Sequence, residues 1–238
     1  MLAVNTANSL IERIAEVRAR LTAAADRSDR SVDEITLVAV SKTRPAEAVR
    51  EAITAGVNDF GENRVQEAES KIPAVGRTAA RWHLIGHLQS NKARRAVELF
   101  DCIHSLDSLD LAKRLNRICD ELDRPELPLL IQVDLGHEAT KMGIEEKGMS
   151  ELVAVLRDCP RLRLTGLMTL PPFFDEAEKV RPYFRRLREL RDDLKAQGAF
   201  GDHPGELSMG MTHDFEIAIQ EGATMVRVGT AIFGERGK

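Results

Sequence analysis

Several things are scarce in this chain of 238 residues, and each scarcity excludes something. There are three cysteines, Cys102, Cys119 and Cys159, an odd number, widely spaced and with no CxxC pair. Neither a disulfide framework nor a structural zinc site follows from such a set, and a reducing compartment, the cytoplasm, fits it. No apolar run reaches membrane-spanning length, and Glu12 and Glu16 interrupt the N-terminal stretch where a signal peptide would be unbroken. No excess of positive charge exists: 34 basic against 38 acidic residues give a net charge of −4, with no general attraction for nucleic acid or an anionic membrane. There is no linker rich in Gly, Ser or Pro, no low-complexity tract and no exact repeat, so residues 1–238 read as one domain.

What the chain has is a 43% apolar, 30% charged composition that supports a packed core. Apolar β-rich runs alternate with amphipathic ones. After an amphipathic helix from about Ser9 to Ala25, strands are expected at Ile35–Val40, Val57–Phe60, Trp82–Ile85, Cys102–Ser105, Leu129–Val133, Leu162–Leu167, Glu206–Met209 and Met225–Val228. Helices are expected between them at Pro45–Ala55, Asn63–Ile72, Asn91–Leu99, Leu109–Leu122, Glu146–Leu156, Asp175–Gln197 and His213–Glu221. At this length the alternation predicts an α/β protein, a (β/α)8 TIM barrel in preference to an open doubly wound sheet. Only Ala231 to Lys238 follow the eighth strand, too few for a full covering helix, so the N-terminal helix is expected to fill that gap.

The chemistry then falls at one edge. The run Leu37-Val38-Ala39-Val40-Ser41-Lys42 delivers a lysine at the C-terminal end of a strand, just before the helix that Pro45 starts. Desolvated there, Lys42 is a nucleophile for an aldehyde and can form a Schiff base; a solvated lysine at a strand end is the plainer reading. Ser208-Met209-Gly210-Met211-Thr212 follows strand seven and Arg227-Val228-Gly229-Thr230 carries strand eight into its loop. A barrel's usual phosphate site is built from these two loops, and Ser208, Gly229 and Thr230 have suitable size and donors; ordinary turn chemistry with a cap at Thr212 competes. A lysine and a phosphate cup at one mouth ask for a phosphorylated aldehyde, pyridoxal 5'-phosphate above all. Arg227 then suits the pyridine nitrogen, which it would keep unprotonated; a pairing with a carboxylate such as Glu216 is the alternative.

The segments Ala39-Val40-Ser41-Lys42-Thr43, Phe60-Gly61-Glu62-Asn63, His83-Leu84-Ile85-Gly86 with Leu88-Gln89 and Asn91-Lys92, Gly166-Leu167-Met168, Leu207-Ser208-Met209-Gly210-Met211, Asp214-Phe215-Glu216 and Arg227-Val228-Gly229-Thr230 closely resemble the YggS/PROSC family, the pyridoxal phosphate homeostasis proteins. The resemblance implies a single barrel of the alanine racemase type without a second, β-rich domain, with Lys42 holding the cofactor. It implies Ser208, Gly229 and Thr230 at the phosphate, Arg227 at the ring nitrogen, and Asn63, His83 and Met168 lining the ring pocket. It implies a carrier or regulator of the intracellular vitamin B6 pool, without strong catalysis, whose recipients would be apoenzymes that use the cofactor. A monomer is the expected state. Asp134 and Thr212 depart from the family's pattern, where asparagine and serine are expected.

Enzyme readings stay in view. Racemisation needs a proton donor on each face of the reacting carbon, and Lys42 serves one; the chain's one tyrosine, Tyr183, falls on an outer helix. A Schiff-base aldolase would draw an acid or base from Glu62 or Asp134. His83 and His87 are spaced four apart but fall on a strand and its turn, with no third metal ligand evident. The loop Gly136–Gly143 could close over the mouth with Lys141, and the arginine run from Arg181 to Arg191 reads as a solvated helix face.

Overall fold

The structure, a computed structural model, describes residues 9–136 and 142–235; the expected lid falls largely on residues 137–141, including Lys141, outside the described residues. Eight parallel strands close into a barrel in simple sequential order, β1 to β8, with β8 returning to β1. They are β1 (Thr36–Val40), β2 (Asp59–Glu62), β3 (Arg81–Leu84), β4 (Cys102–Leu106), β5 (Leu127–Val133), β6 (Leu162–Thr169), β7 (Glu206–Ser208) and β8 (Met225–Val228). The helices are α1 (Leu10–Asp26), α2 (Ala46–Thr54), α3 (Val65–Val75), α4 (Ala93–Leu99), α5 (Leu109–Glu121), α6 (Met149–Arg157), α7 (Arg181–Ala196), α8 (Phe215–Gln220) and a short α9 (Thr230–Phe233). Sequential closure removes every sheet edge, so each strand's backbone groups find partners on both sides.

Each element forms where its residues favour it. Ser9 caps α1 through a capping box with Glu12, satisfying orphan backbone donors at the helix start. The apolar face Leu10, Ile14, Val17, Leu21 is buried, and Arg13 Nε donates to the Ile232 carbonyl at 2.6 Å. Thus α1 packs on α8 and α9 as well as α2, and closes the gap left by the short C-terminal stretch. Pro73 lies inside the last turns of α3, beyond the expected end at Ile72; it has no N–H for the Glu69 carbonyl, and the helix stops two residues later at Val75. Pro45 stands one position before α2, in extended conformation, as its N-cap.

Two clusters of buried apolar residues result. The large one lies between strands and helices and includes Phe60, Trp82, Phe100, Phe184 and Phe215, all fully buried. The small one is Cys102, Leu130 and Met168, with Leu170 against it. Its three core members come from β4, β5 and β6, on the lumen-facing side of the strands.

Candidate ligand site at the barrel mouth

At the C-terminal end of β1 the chain turns sharply. Ser41 N–H donates to the Gly61 carbonyl at 3.0 Å, and Thr43 adopts φ 62°, a left-handed conformation unusual for a β-branched residue. Thr43 N–H donates to Glu67 Oε2 at 2.8 Å, tying the turn to α3. Between these anchors Lys42 is half-buried, and its amine has no hydrogen-bond or ion-pair partner among the described residues. Lys42, Gly229 and Thr230 line one cavity of about 60 Å³ with Val40, Thr43, Arg44, Phe233 and Gly234. That space holds a few waters, the scale of a phosphate group. A β-carbon at Gly229 would lie 3.3 Å from Val40 Cβ, so the close approach of β8's end to β1 favours glycine. Ala231 N–H donates to Thr212 Oγ1 at 3.4 Å, linking the loops after β7 and β8 at the same rim.

The other expected site residues lie elsewhere. Asn63 lines a separate cavity of about 640 Å³ with Arg64, Gly86, His87, Gln89 and Lys92, and its Oδ1 is buried without a partner. Gly86 lets the turn after β3 press on it, since a β-carbon there would sit 2.2 Å from the Asn63 carbonyl oxygen. His83, Met168, Ser208 and Arg227 are all buried inside the barrel. Ser208, expected at the phosphate, lies against Arg227 and His104 on the lumen side. Its hydroxyl accepts from Arg227 Nη1 at 2.6 Å and meets His104 Nδ1 at 2.9 Å, which leaves one of its three bonding positions open. The outer rim at Thr212 is where the loop after β7 meets Thr230's turn. His83 likewise faces His104 (Nδ1 to Nε2, 2.9 Å) and Asp59 (Nε2 to Oδ1, 2.9 Å), while Met168 packs on Cys102 and Leu130.

Arg227 has no carboxylate hydrogen-bonded to it among the described residues; Glu216 pairs with Arg20 instead. Its Nη2 donates to the Thr169 carbonyl at 2.8 Å, and burial pushes its pKa down to about 10, with the Asp214 charge opposing, so it stays cationic at neutral pH. Its remaining guanidinium hydrogens are uncommitted among the described residues. Arg227 lies on β8, and Gly229 follows the end of that strand as the N-cap of α9.

Several participants escape a reading by motif. Lys71 reaches in from α3 to pair with Glu62 Oε1 at 2.5 Å and the Ser41 carbonyl at 2.7 Å, beside the Lys42 turn. Ser41 Oγ donates to the same carboxylate oxygen at 2.7 Å. Burial pushes the Glu62 carboxyl up, with Lys71 and Ser41 pulling the other way, and Oε2 has no partner. His104 is the second omission. His83, Cys102 and His104 bring metal-ligand atoms within 4.8 Å, whereas His87 sits apart, 3.1 Å from Asp107. For Glu62 and His104 the signal is a polar residue on a strand buried on both faces, which should have a specific partner; Lys71, on a helix, carries no such signal.

A sequence model of the family described as alanine racemase, N-terminal domain, matches residues 14–237. The chain belongs to that family. Within the alanine racemase N-terminal domain family it is 46% identical over 234 residues to a pyridoxal phosphate homeostasis protein of Escherichia coli strain K12, an alignment covering 96% of this chain and 97% of the relative. PipY of Synechococcus elongatus PCC7942, solved with PLP bound, is 40% identical and matches at a TM-score of 0.81, over 95% of this chain and 100% of that one. Alanine racemase from Corynebacterium glutamicum shares the fold at 21% identity and a TM-score of 0.66; this chain covers 62% of its length.

Proposed function

We propose that the chain, as one barrel domain spanning 1–238, binds pyridoxal 5'-phosphate as a Schiff base on Lys42 and takes part in intracellular vitamin B6 homeostasis as a carrier or regulator. The observation that carries this is the shared cavity: an unpartnered lysine amine lies across a small space from Gly229 and Thr230, the two residues able to approach a phosphate. Arg227 supports the reading, since a buried cation with uncommitted donors on the strand that leads to Gly229 suits a ring nitrogen. Thr230 places a hydroxyl-bearing residue on this cavity, Ser208 is hydrogen-bonded to the same Arg227, and Asn63 lines a separate cavity. When bound, the ligand's aldehyde supplies the electrophile for Lys42. The chain's own residues bind, orient and hold the charge. The name of the Escherichia coli relative and the PLP in the PipY structure agree with this reading.

The position of Tyr183 supports carriage over turnover. Tyr183 lies on α7, stacked on Phe174 at 5.8 Å between ring centroids in the outer shell, away from the mouth. Tyrosine thus offers no second proton donor on the opposite face from Lys42, and amino-acid racemisation is expected to be negligible. The working place of such a carrier is the cytoplasm; among the described residues no helix is long and apolar enough to cross a membrane. The arginine run on α7 is committed to local carboxylates, with Arg181, Arg185 and Arg188 on Glu221 and Arg186 on Glu146.

The test is an absorption spectrum of the purified chain with pyridoxal 5'-phosphate, followed by borohydride reduction and peptide mapping. A pyridoxyl group on Lys42, lost in Lys42→Ala, is expected. Labelling spread over surface lysines, or a visible band retained in Lys42→Ala, would refute the reading. Chiral chromatography of alanine and serine after long incubation checks the absence of racemase turnover.

A further inference from the structure

A continuous file of polar side chains crosses the barrel from one end to the other. It begins at Asp59, the first residue of β2, which borders a cavity of about 470 Å³ at the N-terminal face with Arg18, Thr36 and Asn58. It passes through His83 of β3, His104 of β4 and Ser208 of β7 to Arg227 of β8, each step 2.6 to 2.9 Å. The step from β4 to β7 joins strands that are not neighbours, so it spans the lumen.

An ionised Asp59 fixes a direction: it can only accept, so His83 donates to it from Nε2–H, and with neutral imidazoles Ser208 Oγ, accepting from Arg227, gives its hydroxyl hydrogen to His104 Nδ1. His104 then carries its proton on Nε2 and donates to His83 Nδ1; His83 carries its proton on Nε2 and donates to the Asp59 carboxylate. Every ring nitrogen is satisfied with both imidazoles neutral. Burial above all, with the positive charges of Arg227 and Arg81 adding to it, holds the His104 pKa well below its ordinary range. The neighbouring Cys102 thiol is pushed up to about 12 by burial and stays protonated. A satisfied file with a protonated thiol beside it is a hydrogen-bond relay; a metal on both imidazoles would have to break these bonds.

The geometry points to a two-setting proton relay in which Asp59, His83 and His104 are positioning residues for Ser208 and Arg227. The Asp59 protonation state at the closed end thereby sets the hydrogen bonding presented to the ligand mouth. In the first setting Asp59 is ionised and the bonds run as above. In the second, one proton taken up from solvent resides on Asp59, whose O–H donates to His83 Nε2; His83 Nδ1–H donates to His104 Nε2, and His104 Nδ1–H donates to Ser208 Oγ. The settings differ by that one proton and the imidazoles are neutral in both. At the mouth, Ser208 becomes an acceptor from both His104 and Arg227, and its own hydrogen is released to turn elsewhere.

The effect on the ligand rests on the proposed function; the relay itself does not, and the test separates them. In the unliganded chain labelled with 15N-histidine, NMR at neutral pH should show two histidines as neutral Nε2–H tautomers, one of them lost in His104→Gln. Asp59→Leu removes the terminal acceptor, and the surviving pair should exchange their protonated and unprotonated nitrogen signals toward Nδ1–H. An Nδ1–H or imidazolium form at either position in the wild-type chain at neutral pH overturns the relay, as does a His104 pattern unmoved by Asp59→Leu; should a variant fail to fold, the wild-type pattern at neutral pH alone decides. With pyridoxal 5'-phosphate bound, Asp59→Leu and His104→Gln should shift the visible absorption maximum while the pyridoxyl group still maps to Lys42. An unshifted maximum with Lys42 labelled defeats the coupling, whereas loss of labelling at Lys42 in the wild-type chain defeats the proposed function and leaves the NMR test of the relay intact.

Discussion

The lumen of this barrel and the shell around it are built by opposite rules. The shell between strands and helices is continuous apolar packing, with Trp82, Phe60 and Phe184 wholly out of water. The lumen, which in barrels of this kind is commonly filled by layers of bulky branched residues, has Cys102, Leu130 and Met168 as its small apolar patch. Beside them stand His83, His104, Gln132, Ser208 and Arg227, each tied to a specific partner. Apolar burial is non-directional and stabilises in proportion to area, while buried polar groups contribute little net stability and fix geometry instead. The shell therefore carries the fold and the lumen carries the site. The sharpest way to break that division is Phe184→Ala on α7: a large cavity in the shell should cost about 3–5 kcal/mol in urea unfolding. The folded fraction should keep its ligand spectrum, since Phe184 contributes nothing to the mouth. A changed spectrum would show that the two regions are coupled.

The shell was also the legible region. Periodicity located every strand because strands covered by helices read as apolar runs, and Met225–Val228 matches the expected range end to end. The boundaries that moved did so for local reasons. β2 starts at Asp59 and not Val57 because Val57 closes the turn after α2 through its bond to the Ala52 carbonyl, and α9 is too short to show a period. The mouth was half legible. Lys42, Gly229 and Thr230 are at strand ends, where sequence position alone implies proximity once a barrel is granted. Ser208 is the less legible residue: its position just before a glycine-containing turn fits equally the rim or the last rung of the lumen, and which side its hydroxyl faces depends on His104, a cross-barrel partner 104 residues away. No local pattern encodes such a pair.

Arg227→Met, a lumen change, sharpens the contrast from the other side. A buried cation with no carboxylate in hydrogen-bond contact is replaced by an apolar chain, leaving Ser208 Oγ and the Thr169 carbonyl each short of one donor. The stability change should stay within about 2 kcal/mol by urea denaturation, well below the shell variant, because relief of burying the charge offsets the lost bonds. The visible band of bound pyridoxal 5'-phosphate should shift strongly. A loss as large as that of Phe184→Ala would mean the lumen carries the fold as well.

The lumen should leave its mark on the pH dependence of folding. The His104 pKa is lowered by burial below an ordinary 6.5, so the unfolded chain binds a proton that the folded one refuses. Its contribution to stability is complete above about pH 6.5 and is lost as pH falls toward the folded value, with a slope of about 1.4 kcal/mol per pH unit. Urea midpoints measured from roughly pH 7 down to 5 should fall, and His104→Gln should flatten that part of the profile. An unchanged slope in the variant would place the protonation elsewhere.

The smallest expected effect tests where the two regions meet. Thr43 holds a left-handed backbone at the turn that aims Lys42, a conformation costing a β-branched residue on the order of 1 kcal/mol or more. Glycine adopts it freely but adds freedom to the unfolded chain. Thr43→Gly should therefore move stability by less than about 1 kcal/mol in either direction. Relief of strain in a turn held by Glu67 and Ser41 lets the amine wander, so the visible effect should be slower labelling of Lys42 by pyridoxal 5'-phosphate and borohydride. If Thr43→Gly is instead stabilised by the full strain energy and labels as fast as the parent chain, the left-handed turn aims nothing, and the lysine's placement owes everything to the shell beneath it.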